Sequence, residues 1–487
     1  MNIVDYFFEN TYNSGKEFLV GKEPVTFDYF YRSSSALAKM IKEKYGEGNH
    51  IMLLSPNNKF FITCYLAIMK SGNICIPTDP MIEQKNFDFI YGQTKPPVVF
   101  IAKEVLRRLP LENVEHFSQD NLAEIEVPEK VDYSIEPFDD SRCAEIIFTS
   151  GSTGIPKGVM LSHKNMRANA QSILEYLKLT SDDRMLVVLP FYYCYGLSLL
   201  HTHLRVGGSI ALNNSFIFLG AIINNLRDYN CTGFAGVPSH FQILLRNSDS
   251  FRTTEFPSLR YVTQAGGKLP PVFIDEFKQS FPNVEFIVMY GQTEATARLS
   301  YLPSKLYEEK KASIGKGIPG VELKVINENL EPIKPGERGE VVAKGDNIMI
   351  GYFNDEEGTK NTIKNGWLYT GDLGTIDEDG YIYLTARKKE IIKVGGKRIS
   401  PKEIENVILQ LPEVIDCTIE GVADDIQGEA VKATVTIRKD KFENANPEFF
   451  KAHCAKSLAL FKIPSIWEFK DKVSLSATGK KIKKVTR

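Results

Sequence analysis

The chain has 487 residues, 43% of them hydrophobic and 25% charged, with a net charge of −2. That length is about three domains' worth of ordinary globular chain, and the balanced charge gives no ground for a nucleic-acid partner or a membrane surface. No apolar run approaches the ~18 residues of a membrane helix, the first residues carry no signal-peptide pattern, and seven cysteines include no Cys-x-x-Cys pair. Reduced thiols and a cytoplasmic location are the expectation, and a structural zinc is not.

In chain order, residues up to about 140 mix helical and strand signals. Residues 60–70 predict a largely apolar helix, 72–80 a strand ending in the turn Pro77, Thr78, Asp79, Pro80, and 97–100 a short strand. Ile146, Ile147 and Phe148 then read as a buried strand opening into a loop of Thr149, Ser150, Gly151, Ser152, Thr153, Gly154, Ile155, Pro156, Lys157 and Gly158. Glycines let a backbone approach a ligand closely, and successive N–H groups make an anion nest. With hydroxyl donors and one lysine added, the composition suits a polyphosphate. It is not a Walker A loop, which runs from Gly-Lys-Ser/Thr straight into a helix. Here Val159, Met160 and Leu161 predict a short strand. The helix starts only after Ser162, with Met166, Ala170, Ile173, Leu174 and Leu177 at amphipathic spacing.

Strands predicted at 185–189, 210–212, 232–235, 261–263 and 284–289 alternate with helical stretches. The pattern implies an α/β fold of helix-covered, mainly parallel sheets, with ligands beyond the strands' carboxyl ends. From 313 to about 385 glycine and proline become dense and strands shorten, the texture of a small β-rich subdomain. A charged stretch at 387–390 has no core pattern and reads as a hinge. Residues 391–487 read as a small, mobile α+β domain. In it Ser400, Pro401 and Glu403 suggest a capping box, with strands at 414–422 and 430–437 and a helix from about 448 to 460.

Chemistry-bearing residues cluster in five further segments: Tyr290, Gly291, Gln292, Thr293 and Glu294; Tyr369, Thr370, Gly371 and Asp372; Arg387 to Lys393, leading into Gly395 and Gly396; residues 459–464; and Thr478, Gly479 and Lys480. In this order and spacing they resemble the adenylate-forming superfamily of acyl-CoA synthetases, peptide-synthetase adenylation domains and firefly luciferase. The resemblance runs from the 77–80 turn to Lys480.

The resemblance implies an N-terminal adenylation domain over 1–386 and a C-terminal lid. The 149–158 loop would hold the ATP β- and γ-phosphates. Tyr290 would stack on adenine opposite the turn of Ala265, Gly266 and Gly267. Thr293 would bind the α-phosphate, Glu294 the Mg²⁺, and Asp372 and Arg387 the ribose hydroxyls. Lys389 falls at the hinge position, Lys480 matches the lysine of the adenylation step, and Lys393 matches one used in the second half-reaction.

The chemistry accounts for these residue types. A carboxylate attacks the α-phosphorus of ATP and expels pyrophosphate, so catalysis is mainly positioning and charge stabilisation. A carboxylate is ionised near neutral pH, so no general base is required.

The segment Pro190, Phe191, Tyr192, Tyr193, Cys194, Tyr195, Gly196 aligns with the family's aromatic floor of the acyl pocket. Tyr193 stands where many relatives have histidine. Amino-acid-activating relatives carry an aspartate in this segment to pair with the substrate ammonium; residues 190–196 have none, which argues against an α-amino acid. Tyr192, Tyr193, Phe234, Gly236, Val237, His240 and Gly267 are the candidate lining, suited to an apolar acyl or aryl group. The thiol acceptor is expected in trans, with coenzyme A the default and a separate acyl carrier protein the rival.

Overall fold

The computed structural model describes residues 1–473 apart from 134, 151–155, 388–390, 395–396, 425–426 and 439–444. Two large sheets organise the N-terminal part. In one, the strands Glu17–Val20, Ser209–Leu212, Arg184–Val187, Gly233–Gly236, Tyr261–Gln264 and Glu285–Tyr290 lie side by side and parallel. Antiparallel strands finish both its edges. In the other, Cys143–Ser150, Ile74–Thr78, His50–Leu54, Val99–Ile101 and His116–Phe117 are parallel neighbours. The expected mainly parallel α/β body is what forms. The expected strands are all present, with ends shifted by one to three residues.

The helix Lys59–Lys70 shows why this body holds together. Every residue from Phe60 to Met69 is buried, as a helix that is apolar on all sides requires. Ser162 caps the helix His163–Leu177 by accepting from the Asn165 N–H at 3.0 Å, and the Asn165 side chain answers at the Ser162 N–H. The helix therefore starts where the sequence predicts it. A third, five-stranded antiparallel sheet contains Val321–Ile326, Gly339–Gly345, Trp367–Ile376 and Ile382–Arg387.

A small C-terminal α+β unit carries a fourth sheet, dominated by the hairpin Val414–Asp424 with Gly428–Ile437. Three features there differ from the sequence reading. The hairpin Ile392–Val394 with Lys397–Ile399 and the parallel strand Ile466–Lys470 are additional. The last helix is Pro447–Ala455, shorter than expected. The capping box at Ser400 does not form: the Ser400 hydroxyl donates to the Thr385 carbonyl at 2.9 Å, and Glu403 pairs with Lys462 at 2.6 Å. A tertiary acceptor outcompetes the local cap.

Arg246, at the end of the helix Pro238–Asn247, joins this unit to the body. Its guanidinium donates to the carbonyls of Leu409, Leu411 and Val414 and pairs with Glu276 at 2.6 Å. Carbonyls left open at the end of the helix Pro401–Ile408 thereby gain a cation, as helix C-termini favour.

Candidate active site

The hydroxyl-rich loop is carried by a β-hairpin. Cys143–Ser150 pairs antiparallel with Pro156–Ser162, setting Thr149 opposite Lys157. Gly151, Ser152, Thr153 and Gly154 lie outside the described residues, and so do Lys389, Gly395, Gly396 and Lys480. Lys157 Nζ lies 2.7 Å from Asp355 Oδ2 and 4.8 Å from the centre of the Tyr352 ring. Tyr352 in turn donates to Glu294 Oε1 at 2.8 Å. This short relay brings the lysine of the expected phosphate loop and the expected Mg²⁺ ligand into one neighbourhood. Lys157 holds the Asp355 carboxyl below its ordinary range, and burial beside Glu294 pushes the Tyr352 hydroxyl up.

Tyr290 closes the strand Glu285–Tyr290 at its carboxyl end, and Thr293 and Glu294 follow in a single 3₁₀ turn. Gly291 is required by close approach: a Cβ there would sit 2.0 Å from the Ala297 carbonyl oxygen. Thr296 adopts φ +63°, outside the αL basin, and is held by its hydroxyl donating to Asn347 O at 2.7 Å. Asn347 also donates to Arg298 O at 2.7 Å, and the Met349 N–H to Glu294 O at 2.9 Å. Strain of this kind persists only where surrounding bonds over-determine it.

Asp372 and Arg387 are cross-strand partners in register. Arg387 Nε donates to Asp372 Oδ1 at 2.8 Å, and the Tyr290 hydroxyl donates to Asp372 Oδ2 at 2.7 Å. The three expected nucleotide contacts are thus one hydrogen-bonded set. Lys393 lies exposed in the strand Ile392–Val394, its N–H on Glu429.

In the expected acyl region, Asn57 grips both ends of the turn into the aromatic segment, donating to Leu189 O and accepting from Phe191 N, each at 2.8 Å. The Tyr192 hydroxyl bonds to Asp79, whose carboxyl burial pushes up. Cys194 Sγ lies 3.5 Å from Thr293 Oγ1, and the Tyr195 hydroxyl bonds to Thr263. His240 stacks on Phe216 at 4.0 Å, Gly236 lies against it, and burial holds its imidazole neutral, its pKa lowered to about 3. Phe234 and Val237 are buried on either side of Gly236. The Gln264 side chain fixes the turn at Gly266 and Gly267 by donating to Gly267 O at 2.7 Å. His201 is buried, with Nε2 2.8 Å from the Tyr65 hydroxyl.

Sequence reasoning missed Asn57, Tyr352, Asp355, Asn347 and Arg298. Each is a single residue in an unremarkable stretch, and only the fold gives it a partner.

Among the described residues no three His, Cys, Asp or Glu side chains gather as a metal site. Mg²⁺ carried on a triphosphate needs only one or two protein carboxylates. Glu294 fits that donor set, with one oxygen accepting from Tyr352 and no hydrogen bond to the other among the described residues.

A parallel α/β body, a hydroxyl-rich hairpin loop and a joined Tyr-Asp-Arg set under a small C-terminal unit define an adenylate-forming enzyme. The chain belongs to the AMP-binding enzyme family, whose model matches residues 9–353, with the AMP-binding enzyme C-terminal domain matching 403–480. It is similar to an oxalate–CoA ligase of Arabidopsis thaliana, 31% identical over 89% of this chain and 87% of that one. A feruloyl-CoA synthase of Amycolatopsis is 30% identical over 90% and 88%. Among solved structures, the anthranilate CoA ligase AuaEII with anthranoyl-AMP superposes with a TM-score of 0.87 at 23% identity, covering 99% of this chain and 95% of that one. The o-succinylbenzoate CoA synthetase of Bacillus subtilis with ATP and magnesium gives 0.84 at 24%, covering 98% of each.

Proposed function

We propose that the protein is an ATP- and Mg²⁺-dependent carboxylate–thiol ligase, forming an acyl-adenylate with release of pyrophosphate and then a thioester of coenzyme A. The observation that carries this reading is the convergence, at the carboxyl end of the strand Glu285–Tyr290, of Tyr290, Asp372 and Arg387 with Thr293 and Glu294. Adenylation joins two anions, so the protein's task is to hold both and offset charge on the phosphoryl oxygens. Lys157 and the Thr149 loop bind the β- and γ-phosphates, Thr293 the α-phosphate, and Asp372 with Arg387 the ribose. Glu294 would hold the Mg²⁺, which supplies Lewis-acid neutralisation of the phosphates.

Lys480 completes the adenylation step, and rotation about Lys389 then presents Lys393, with Gly395 and Gly396 after it, for thiol attack. Coenzyme A is the acceptor favoured by the relatives' names, which are those of CoA ligases. All seven cysteines are unpaired, in keeping with a reducing cytoplasm.

The test is pyrophosphate release from ATP and Mg²⁺ across a panel of carboxylic acids, with and without coenzyme A. Acid-stimulated release with thioester appearing on addition of coenzyme A is expected. Acyl-AMP that accumulates and moves only to a phosphopantetheinyl carrier protein would replace coenzyme A as the acceptor.

A further inference from the structure

The segment that begins with the short strand Gly351–Tyr352 holds two residues of the proposed nucleotide site at once. That strand pairs antiparallel with Pro156–Ser162, Tyr352 opposite Val159, and the Phe353 N–H donates to Gly158 O at 2.7 Å. Lys157, beside that contact, reaches Asp355: the two are 198 residues apart in sequence and 2.7 Å apart in space. Its ammonium also lies 4.8 Å from the centre of the Tyr352 ring, whose hydroxyl donates to Glu294 Oε1. Among the described residues Asp355 is the carboxylate that Lys157 pairs with.

The carboxylate of this pair is fixed by the fold. Asp355 caps the helix Glu356–Thr362: its Oδ1 accepts from the Gly358 N–H at 2.7 Å, and its carbonyl accepts from the Thr359 hydroxyl at 2.8 Å. Thr359 Oγ1 accepts in turn from the Tyr352 N–H at 2.8 Å, which closes the segment on itself. Gly358 lets the carboxylate lie over the helix start, since a Cβ there would sit 2.2 Å from Asp355 Oδ2. Lys157, by contrast, carries its charge on a flexible four-carbon stem. The two side chains are 36% and 33% exposed, so an anion from solvent can reach the ammonium. Ion pairs that exposed are weak. Several phosphate charges can therefore draw Lys157 away, while Asp355 stays where the helix holds it.

We propose that Asp355 is a positioning residue of this ligase: it competes with pyrophosphate for Lys157 and so speeds that product's release. The inference rests on the ligase reading above and on the role given there to Lys157. Under that reading ATP is also held by its adenine and ribose, through Tyr290, Asp372 and Arg387, whereas pyrophosphate has only its phosphates to bind by. Competition for the lysine weakens both ligands by a similar factor. The one with fewer contacts leaves, because such differences fall mainly on the rate of dissociation.

The experiment follows consumption of ATP with Mg²⁺, coenzyme A and an acid that the wild type turns over, adding pyrophosphate as product inhibitor. Asp355→Asn keeps the helix cap and removes the charge. It is expected to lower the inhibition constant of pyrophosphate and the KM for ATP each by about threefold, the scale of an exposed ion pair. The KM for the acid should not change. In a Lys157→Met background the same substitution should leave both constants where they are, because the partner it acts through is gone. Asp355→Ser, a second neutral cap, decides the matter if the Asn variant fails to fold. A rise in either constant overturns the proposal, since Asp355 would then be aiding polyphosphate binding, and so does no change in either. A fall of the same size in the Lys157→Met background also overturns it, because the carboxylate would then be repelling the phosphates directly. Failure of the wild type to consume ATP with any acid overturns the ligase reading itself.

Discussion

Tyr290 and Asp372 meet through a 2.7 Å hydrogen bond between the carboxyl end of the parallel sheet and a strand of the antiparallel one. The same carboxylate takes Arg387 on its other oxygen. Its two oxygens are thus each anchored, and under the proposed role a ribose diol would be read by lone pairs in a fixed plane. Asp372→Asn replaces one of those acceptors with a donor that faces Tyr290 or Arg387. The KM for ATP should rise about tenfold or more, as when a buried charge-assisted hydrogen bond is lost. The KM for the acid should stay within about twofold if Asp372 serves the nucleotide as proposed. Steady-state kinetics with each substrate varied checks this, and a matched rise in both constants would point to a general disturbance of the fold.

Gly291 is constrained by a neighbour rather than by its own dihedral angles. Its missing Cβ would collide with the Ala297 backbone, 2.0 Å away, in the segment that also carries Thr293, Glu294 and Arg298. Gly291→Ala must therefore push apart two backbones laced to Asn347. The expected cost is about 1–3 kcal/mol of stability, the range for overpacking, with adenylation lost more completely than folding. Urea unfolding alongside pyrophosphate release separates the two, and a variant with wild-type activity would show that the segment yields freely.

Much of this site is legible in the sequence because phosphate and nucleotide recognition uses compact motifs. The segment from Thr149 to Lys157, the Tyr290–Glu294 strand end and the Asp372 and Arg387 segments are each short and contiguous, so together, in their order along the chain, they carry the family resemblance from which the expected roles come. The Ser400 capping box was misread for a physical reason: a local cap and a tertiary carbonyl compete for one hydroxyl, and Thr385 is fifteen residues away in sequence. Arg298, Asn57 and Asp355 carry no periodicity or motif. Their meaning lies in which partner the fold supplies, a buried ring, a turn or a lysine, and that is not written in neighbouring residues. The additional strand Ile466–Lys470 is half-exposed and short, leaving only a weak alternation signal.

The two half-reactions separate two lysines. Lys480→Ala should abolish most acyl-AMP formation and leave ATP binding largely intact, because a point charge that acts on the transition state contributes little to ground-state affinity. Lys393→Ala should spare adenylation and slow thioester formation; Lys393 is the exposed residue of the strand Ile392–Val394 in the C-terminal unit. Single-turnover measurement of acyl-AMP and thioester in each variant tests both. Equal loss of both steps in the Lys393 variant would sink the account in which one unit serves two conformations.

Glu145 sets a pH dependence that the chemistry does not require. It is fully buried in the strand Cys143–Ser150, which leads to the proposed phosphate loop, and burial raises its carboxyl to about 7 from an ordinary 4.5. The Tyr65 hydroxyl donates to it at 2.7 Å and opposes that rise only in part. The groups beside it, Tyr65, Cys75 and Cys143, bring no cation. His201 beyond Tyr65 stays neutral, burial lowering it to about 3. The sign follows from proton counting. Between pH 4.5 and 7 the folded chain keeps this proton while the unfolded chain releases it, so stability from this group is full below 4.5 and lost as pH rises through 7. The span is worth about 3 kcal/mol at most. Glu145→Gln keeps an acceptor for Tyr65 and cannot ionise, so it removes the slope. Thermal melts at pH 5 and pH 8 should give similar midpoints for the two proteins at the lower pH and a variant several degrees more stable at the higher one. Parallel curves across that range would mean that the Glu145 carboxyl ionises at its ordinary pKa despite its burial.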